Sequence, residues 1–284
     1  MINLLRNGIV NWLKRQKPLP ETPMSDFQKL IREIQPCDVI LVEGRSSVSE
    51  VIKLITQSSW SHAALYIGRM EEIEDPCVKE MIGKHYKGNP NLPLIIESEL
   101  GLGTIVRSLK TYEFEHLRLC RPRNLAHTDA KHVLSYCAGK LGSAYNVRQV
   151  FDLARFLFPW FILPRRWRSS LFSTRPGKST QTVCSTMIAE AFGSVQFPIL
   201  PLVKRVQNNR LRLFMRNPKL CTPRDFDYSP YFDIIKYPFL DFVQYSEHRL
   251  QPWDGIIELS EEEKKMYVFS GSESEAEPEA PHSQ

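Results

Sequence analysis

No cysteine in this 284-residue chain has a partner at short spacing. Cys37, Cys77, Cys120, Cys137, Cys184 and Cys221 are scattered singly, with no C-x-x-C pair and no histidine at zinc-finger spacing. That pattern argues against a structural zinc site and a disulfide framework, and leaves reduced thiols in a cytoplasm as the expectation. Long apolar runs are missing too: nothing approaches the roughly 18 residues a membrane-spanning helix needs. The first residues make a poor export signal, because Asn7 and Asn11 interrupt the apolar stretch and Lys14, Arg15 and Lys17 stand where a small-residue cleavage site belongs. The protein is expected to stay where it is made. No internal repeat is visible.

What is present is enough apolar material for a core, 42% of residues, and an excess of base. The formal charge is +5, and four of the negative charges (Glu273, Glu275, Glu277, Glu279) sit in a tail of Ser, Glu, Ala and Pro that reads as disordered, so the remainder stands at +9. A basic body suits an anionic membrane surface, an acidic substrate or a nucleic acid without choosing among them.

Ile2, Leu5, Ile9, Trp12 and Leu13 recur at helical spacing beside Arg6, Lys14 and Arg15, which fits either an interfacial helix or one packed on the protein's own core. Prolines 18, 20 and 23 separate this arm from a short helix over 25–34. Then come a strand at Val39 to Val42, a helix announced by Ser47 with Glu50 three residues on, and a second strand from His62 through Gly68. The polar, Gly/Pro-punctuated stretch 70–93 reads as an insertion with some helix. Three more strands follow at Leu94 to Glu97, Thr104 to Leu109 and His116 to Arg121, which predicts an α+β protein with a mostly antiparallel sheet. A helix runs from Thr128 to Leu141 and Gly142 ends it. From Phe151 to Leu163 apolar and aromatic residues crowd together and abut Arg165, Arg166, Trp167 and Arg168, a pattern of a membrane anchor, a greasy substrate rim or a core helix with a basic end. Lys204, Arg205, Arg210, Arg212 and Arg216 fit no nucleic-acid module, and a solvated helix face is the expectation there; no nucleic-acid partner is expected.

The chemistry-bearing residues are His62, a titratable ring at the mouth of a buried strand, and Cys184, placed in the first turn of an amphipathic helix that Thr180 or Thr182 could cap. Free amides and the helix dipole favour a thiolate at that position, and a histidine can take the proton. A third group must orient the base. Glu97, after Leu94, Ile95 and Ile96, is the first choice, and Glu99 shares its face by the two-residue period.

The order of these features resembles the YiiX/YebB-like branch of the permuted NlpC-type, papain-like cysteine hydrolases. Asp38 precedes a hydrophobic strand, Ser61-His62 opens the run Ala63 to Gly68, and then come Ile95-Ile96-Glu97, Gly142-x-x-Tyr145 and Val183-Cys184-Ser185. The similarity covers roughly residues 35–193. It implies a circularly permuted papain-like fold, with Cys184 as nucleophile, His62 as general base, Glu97 as the orienting acid and the Cys184 amide in an oxyanion hole. Tyr145 matches a pocket-lining aromatic of that family, and Trp60 and Asp38 join it as expected substrate-binding residues. Cys37 departs from the family by standing where Gly is common, and Asn146 where Asp is common.

The organisation expected is an arm over 1–24, a catalytic domain over 35–195 with insertions near 70–93 and 151–180, a C-terminal extension over 196–269 and a tail over 270–284. No cofactor and no metal is called for. Expected partners are a lipid or an acylated or peptidyl substrate and an anionic membrane surface, touched by Trp160, Phe161, Arg165, Arg166 and Trp167. A cytoplasmic location, peripheral on the inner membrane face, follows from the same residues. The competing reading is a non-catalytic lipid- or protein-binding module with a buried, inert Cys184.

Overall fold

Short apolar runs bounded by turns build one six-stranded sheet. A computed structural model describes residues 17–18, 23–99, 102–143, 184–206 and 210–239. The chain through Leu240 is one unit; 241–284 form a second, which lies outside the described residues, as do the N-terminal arm, Tyr145 and the segment 151–183 with Trp160, Phe161, Arg165, Arg166 and Trp167. The described elements are α1 (Phe27–Glu33), β1 (Val39–Glu43), α2 (Ser47–Thr56), β2 (His62–Gly68), α3 (Pro76–His85), β3 (Leu94–Glu99), β4 (Gly103–Ser108), β5 (His116–Pro122), α4 (His127–Ala138), α5 (Cys184–Ser194), β6 (Leu202–Val206), β7 (Arg210–Phe214), α6 (Pro223–Tyr228) and β8 (Phe232–Ile235).

Six strands pair in the order β4-β3-β2-β1-β5-β8, every pair antiparallel. The α+β class and antiparallel sheet expected from the sequence are therefore present. Side-chain parity splits the core in two. Ala63, Leu65, Ile67 and Ile96 face one side, where Val78 and Ile82 of α3, Val133 of α4 and Met187, Ile188 and Phe192 of α5 cover them. Ala64, Tyr66, Ile95 and Leu119 face the other, covered by Phe27 and Leu30 of α1 and by Tyr237.

Several local expectations are corrected. The cap of α2 is Ser46, whose Oγ accepts from the Ser49 amide at 3.1 Å; Ser47 is already helical. The helix expected within residues 70–93 is present as α3, capped by Asp75 with Pro76 at its first turn, and it buries Val78 and Ile82 in the core. Helix α5 is buried on nearly all sides, not amphipathic. The basic stretch after Pro201 is a β-hairpin, β6 with β7, not a helix face. Residues expected to lie in an extension beyond the catalytic domain supply α6 and the edge strand β8 of the main sheet.

Cys37 adopts φ +73°, a conformation glycine takes freely and other residues rarely. This is the position where the resembling family commonly has Gly. The turn is held here by the Cys37 amide donating to the Tyr66 carbonyl at 2.9 Å, and by the Asp38 carboxylate, which receives the Arg121 guanidinium at 2.9 and 2.7 Å.

Phe192 anchors α5 to the sheet's edge, fully buried with edge-on contact to Phe232 and a tilted contact to Phe197. Replacing it with Ala removes a large core ring and leaves a cavity, so urea unfolding of Phe192→Ala should show a loss of about 3–5 kcal/mol. A loss under about 1 kcal/mol would mean that the α5 contact is not a true core.

Candidate active site

The β2–β3 ladder ends at Leu65 opposite Ile96, so β3 leaves the Ala63 amide unpaired. That amide donates instead to the Cys184 sulfur, and the Ser185 amide at the start of α5 does the same. Ser185 Oγ donates to the Cys221 carbonyl at 2.6 Å and fixes the helix start. Cys184 is thus the first residue of a buried helix, where unpaired N–H groups concentrate positive potential.

His62 opens β2 opposite Val42 and shares the parity of Ala64, on the sheet face away from α5. Its place at the strand's end lets the ring meet the thiol at the sheet's rim. Nε2 lies 2.7 Å from Glu97 Oε2, which leaves Nδ1 for the Cys184 sulfur, with which the ring shares both a hydrogen bond and a charge interaction. Glu97 is fully buried. Its Oε2 also accepts from the Tyr112 hydroxyl at 2.7 Å, and Arg107 Nε stands 2.8 Å from Oε1. The Arg107 N–H is not aligned on that oxygen, so this contact is an ion pair without a directed hydrogen bond. Arg107 Nη2 reaches Glu99, which settles the choice between the two acids: His62 engages Glu97, and Glu99 is the counter-charge of Arg107.

Electrostatics follow from this geometry. Burial pushes Glu97 toward the neutral form, but His62, Arg107 and the Tyr112 hydroxyl outweigh it and hold the carboxyl below its ordinary value. Burial also disfavours the charged imidazole, yet Cys184 and Glu97 together raise His62 to about 10. Burial would raise the Cys184 thiol as well; His62 and the two backbone amides reverse the sign and lower it. The contrast with the other buried thiols is direct. Cys37 is pushed up to about 12 by burial and by Asp38, and burial drives Cys120, Cys137 and Cys221 upward too. Both shifts run in the direction that favours a thiolate beside an imidazolium.

The structure brings Cys184, His62 and Glu97 together and leaves two expected substrate contacts elsewhere. Asp38 sits beyond Val39, which pairs with Leu65, whereas His62 pairs with Val42 at the other end of the same ladder. Four residues of strand, Asp38 to Val42, put them about 13 Å apart along the sheet. Its carboxylate, fully buried, is committed to Arg121 and the Gln35 amide. Trp60 is also buried, its indole N–H donating to Asp227 at 3.2 Å and its ring under the Arg118 guanidinium at 4.7 Å. Both hold the frame and offer no free group. Tyr112 and Arg107 went unseen in the sequence. Arg107 faces the same side of β4 as Glu97 does of β3, and an arginine in an alternating strand was a usable signal. Tyr112 lies in a 3-10 turn with no local pattern to mark it.

Iodoacetamide should label Cys184 first among the six thiols. Its rate should rise through a pKa below the ordinary thiol value of roughly 8.5, because thiolate is the reactive form and its pKa is lowered. His62→Ala removes the charge that offsets burial, so the Cys184 rate at neutral pH should fall by about tenfold or more. Equal rates in the variant and the wild type would break the pair.

Tyr112→Phe deletes one donor to Glu97 without changing ring volume. It should let Glu97 take up a proton at higher pH and so move the acid edge of rapid Cys184 labelling upward, while the melting temperature falls by only a few degrees, as for about 1 kcal/mol. An unchanged acid edge would confine Tyr112 to packing.

No family model and no curated protein matches the chain. Among solved structures, the chain is similar to the crystal structure of the metalloprotein yiiX from Escherichia coli O157:H7, at 14% identity and a TM-score of 0.43, over 72% of this chain and 97% of that one.

Proposed function

We propose that this chain is a cysteine-dependent hydrolase or acyltransferase that acts on an amide, ester or thioester carbonyl through an acyl-enzyme. The observation that carries it is the arrangement at the sulfur: His62 pairs with Cys184 on one side and with the buried Glu97 at 2.7 Å on the other, and the Ala63 and Ser185 amides donate to the thiol, while no such partners offset the upward push of burial at Cys37, Cys120 and Cys137. A merely structural cysteine has no use for an imidazole, a buried carboxylate and two amides aimed at or behind its sulfur.

In the proposed reaction His62 holds the proton of Cys184, and the thiolate attacks the carbonyl carbon. The C=O electron pair moves to oxygen, and the Cys184 amide, at the helix start, is the donor proposed for that oxyanion. Collapse re-forms the carbonyl and breaks the bond to the leaving group, which takes the His62 proton. Water or an acceptor alcohol or amine then gives a proton to His62, attacks the thioester and releases Cys184 as thiolate, which His62 again pairs. Glu97 stays ionised throughout and keeps Nδ1 turned to sulfur.

A lipid or an acylated or peptidyl molecule at the inner face of a membrane is the substrate class we propose, in keeping with the net positive charge. The yiiX protein is a metalloprotein by name. Among the described residues here no three His, Cys, Asp or Glu side chains are arranged to hold an ion. The donor set does not fit a metal centre, and no step is routed through one.

Incubation with a panel of acyl thioesters and lipid amides, followed by intact-mass analysis, tests the proposal. An acyl-sized mass gain that maps to Cys184 and is absent in Cys184→Ala is expected. Glu97→Gln should form the adduct at least about 100-fold more slowly, since loss of the orienting acid costs as much or more in triads of this kind. No adduct from any donor, in protein whose Cys184 alkylates readily, would favour the non-catalytic binding module.

A further inference from the structure

Between Glu190 and Asp225 the chain has no acidic residue and seven basic ones. The middle of that stretch is the hairpin β6–β7, a two-stranded sheet separate from the main one. Every side chain described in its strands is exposed. A lone hairpin in water is marginal. This one is weakened further by Lys204 directly opposite Arg212, like charges across a pair. It also presents Leu202, Val203, Leu211, Leu213, Phe214 and the following Met215 to solvent, each at least 42% exposed. Alternation sorts them. Val203, Leu211 and Leu213 share one face with Arg205, while Lys204, Arg210 and Arg212 share the other with Leu202 and Phe214. Among the described residues, Lys204, Arg205, Arg210 and Arg212 have no carboxylate partner; Lys204 rests 5.6 Å over the Phe214 ring.

We infer that this hairpin is a docking element for an anionic lipid bilayer. An exposed apolar face needs an apolar environment, and a hairpin carrying unpaired cations is drawn to anions. An anionic bilayer surface supplies both: Val203, Leu211 and Leu213 enter the acyl boundary, Arg205 on the same face reaches the headgroup phosphates along its stem, and Lys204, Arg210 and Arg212 on the other face add the positive charge that attracts the hairpin to the surface. A second copy of the chain does not fit, since two such hairpins repel. A nucleic acid answers the cations but leaves the leucines in water. The inference stands apart from the thiol chemistry, because α5 carries Cys184 at its start and the hairpin follows its end.

The full chain is sedimented with vesicles of phosphatidylcholine alone and of phosphatidylcholine with phosphatidylglycerol in about equal parts. Two variants accompany the wild type: one with Lys204, Arg205, Arg210 and Arg212 each changed to Gln, and one with Leu211 and Leu213 each changed to Ser. All six side chains are exposed, so neither set disturbs the core, and an unchanged rate of Cys184 alkylation verifies the fold. Wild type should pellet with the anionic vesicles, less at high salt, and bind zwitterionic ones weakly. The Gln variant should lose about 100-fold or more in partitioning, at roughly fivefold per basic residue, and the Ser variant about tenfold or more. Equal partitioning of both variants and wild type overturns the assignment. So does a wild type that leaves both vesicle types in the supernatant, including one retained by single-stranded RNA instead.

Discussion

A thiolate cannot be buried alone. Removing a charge from water costs several kcal/mol even after relaxation, so an isolated buried Cys184 would stay protonated like Cys120 or Cys137. The His62 ring favours the anion, and that half-buried ring is in turn held by Glu97. Glu97, fully enclosed, needs Arg107 and Tyr112. Charges alternate from sulfur to imidazole to carboxylate to guanidinium, and each member depends on its neighbours. The sheet's construction follows from this chain of dependence. β2 delivers His62, β3 Glu97 and β4 Arg107, three adjacent antiparallel strands that end near one helix N-terminus.

Much of this was legible in the sequence because it was local. The strands β1 to β5 declare themselves by short apolar runs between turn signals, His62 and Cys184 stand at element starts, and Glu97 directly follows the run Leu94 to Ile96, where a polar residue beside a hydrophobic run is conspicuous. What escaped was non-local. Tyr112 meets Glu97 only because a 3-10 turn after β4 folds back over β3. The amide of Ala63 is free only because the β2–β3 ladder stops two residues short of it. Asp38 and Trp60 were read as substrate contacts from their neighbourhood in sequence, and Arg121, 83 residues on, and Asp227, 167 residues on, take them up instead.

The hairpin shows the opposite failure. Its local pattern is interleaved base and leucine, which satisfies helical and extended spacing alike over so few residues. Its strands touch nothing in the main sheet that would have revealed them. The register, with Val203 facing Leu213 and Lys204 facing Arg212, is what turns a loose basic stretch into two chemically distinct faces.

Burial also sets a direction for the chemistry. Glu97 is closed off, Cys184 keeps about 5% of its surface, and the His62 side chain keeps 19%. Solvent therefore meets the site first at the imidazole. In the proposed reaction the imidazole, the most exposed of the three side chains, would carry both proton transfers, while the carboxylate beside it stays out of reach of solvent.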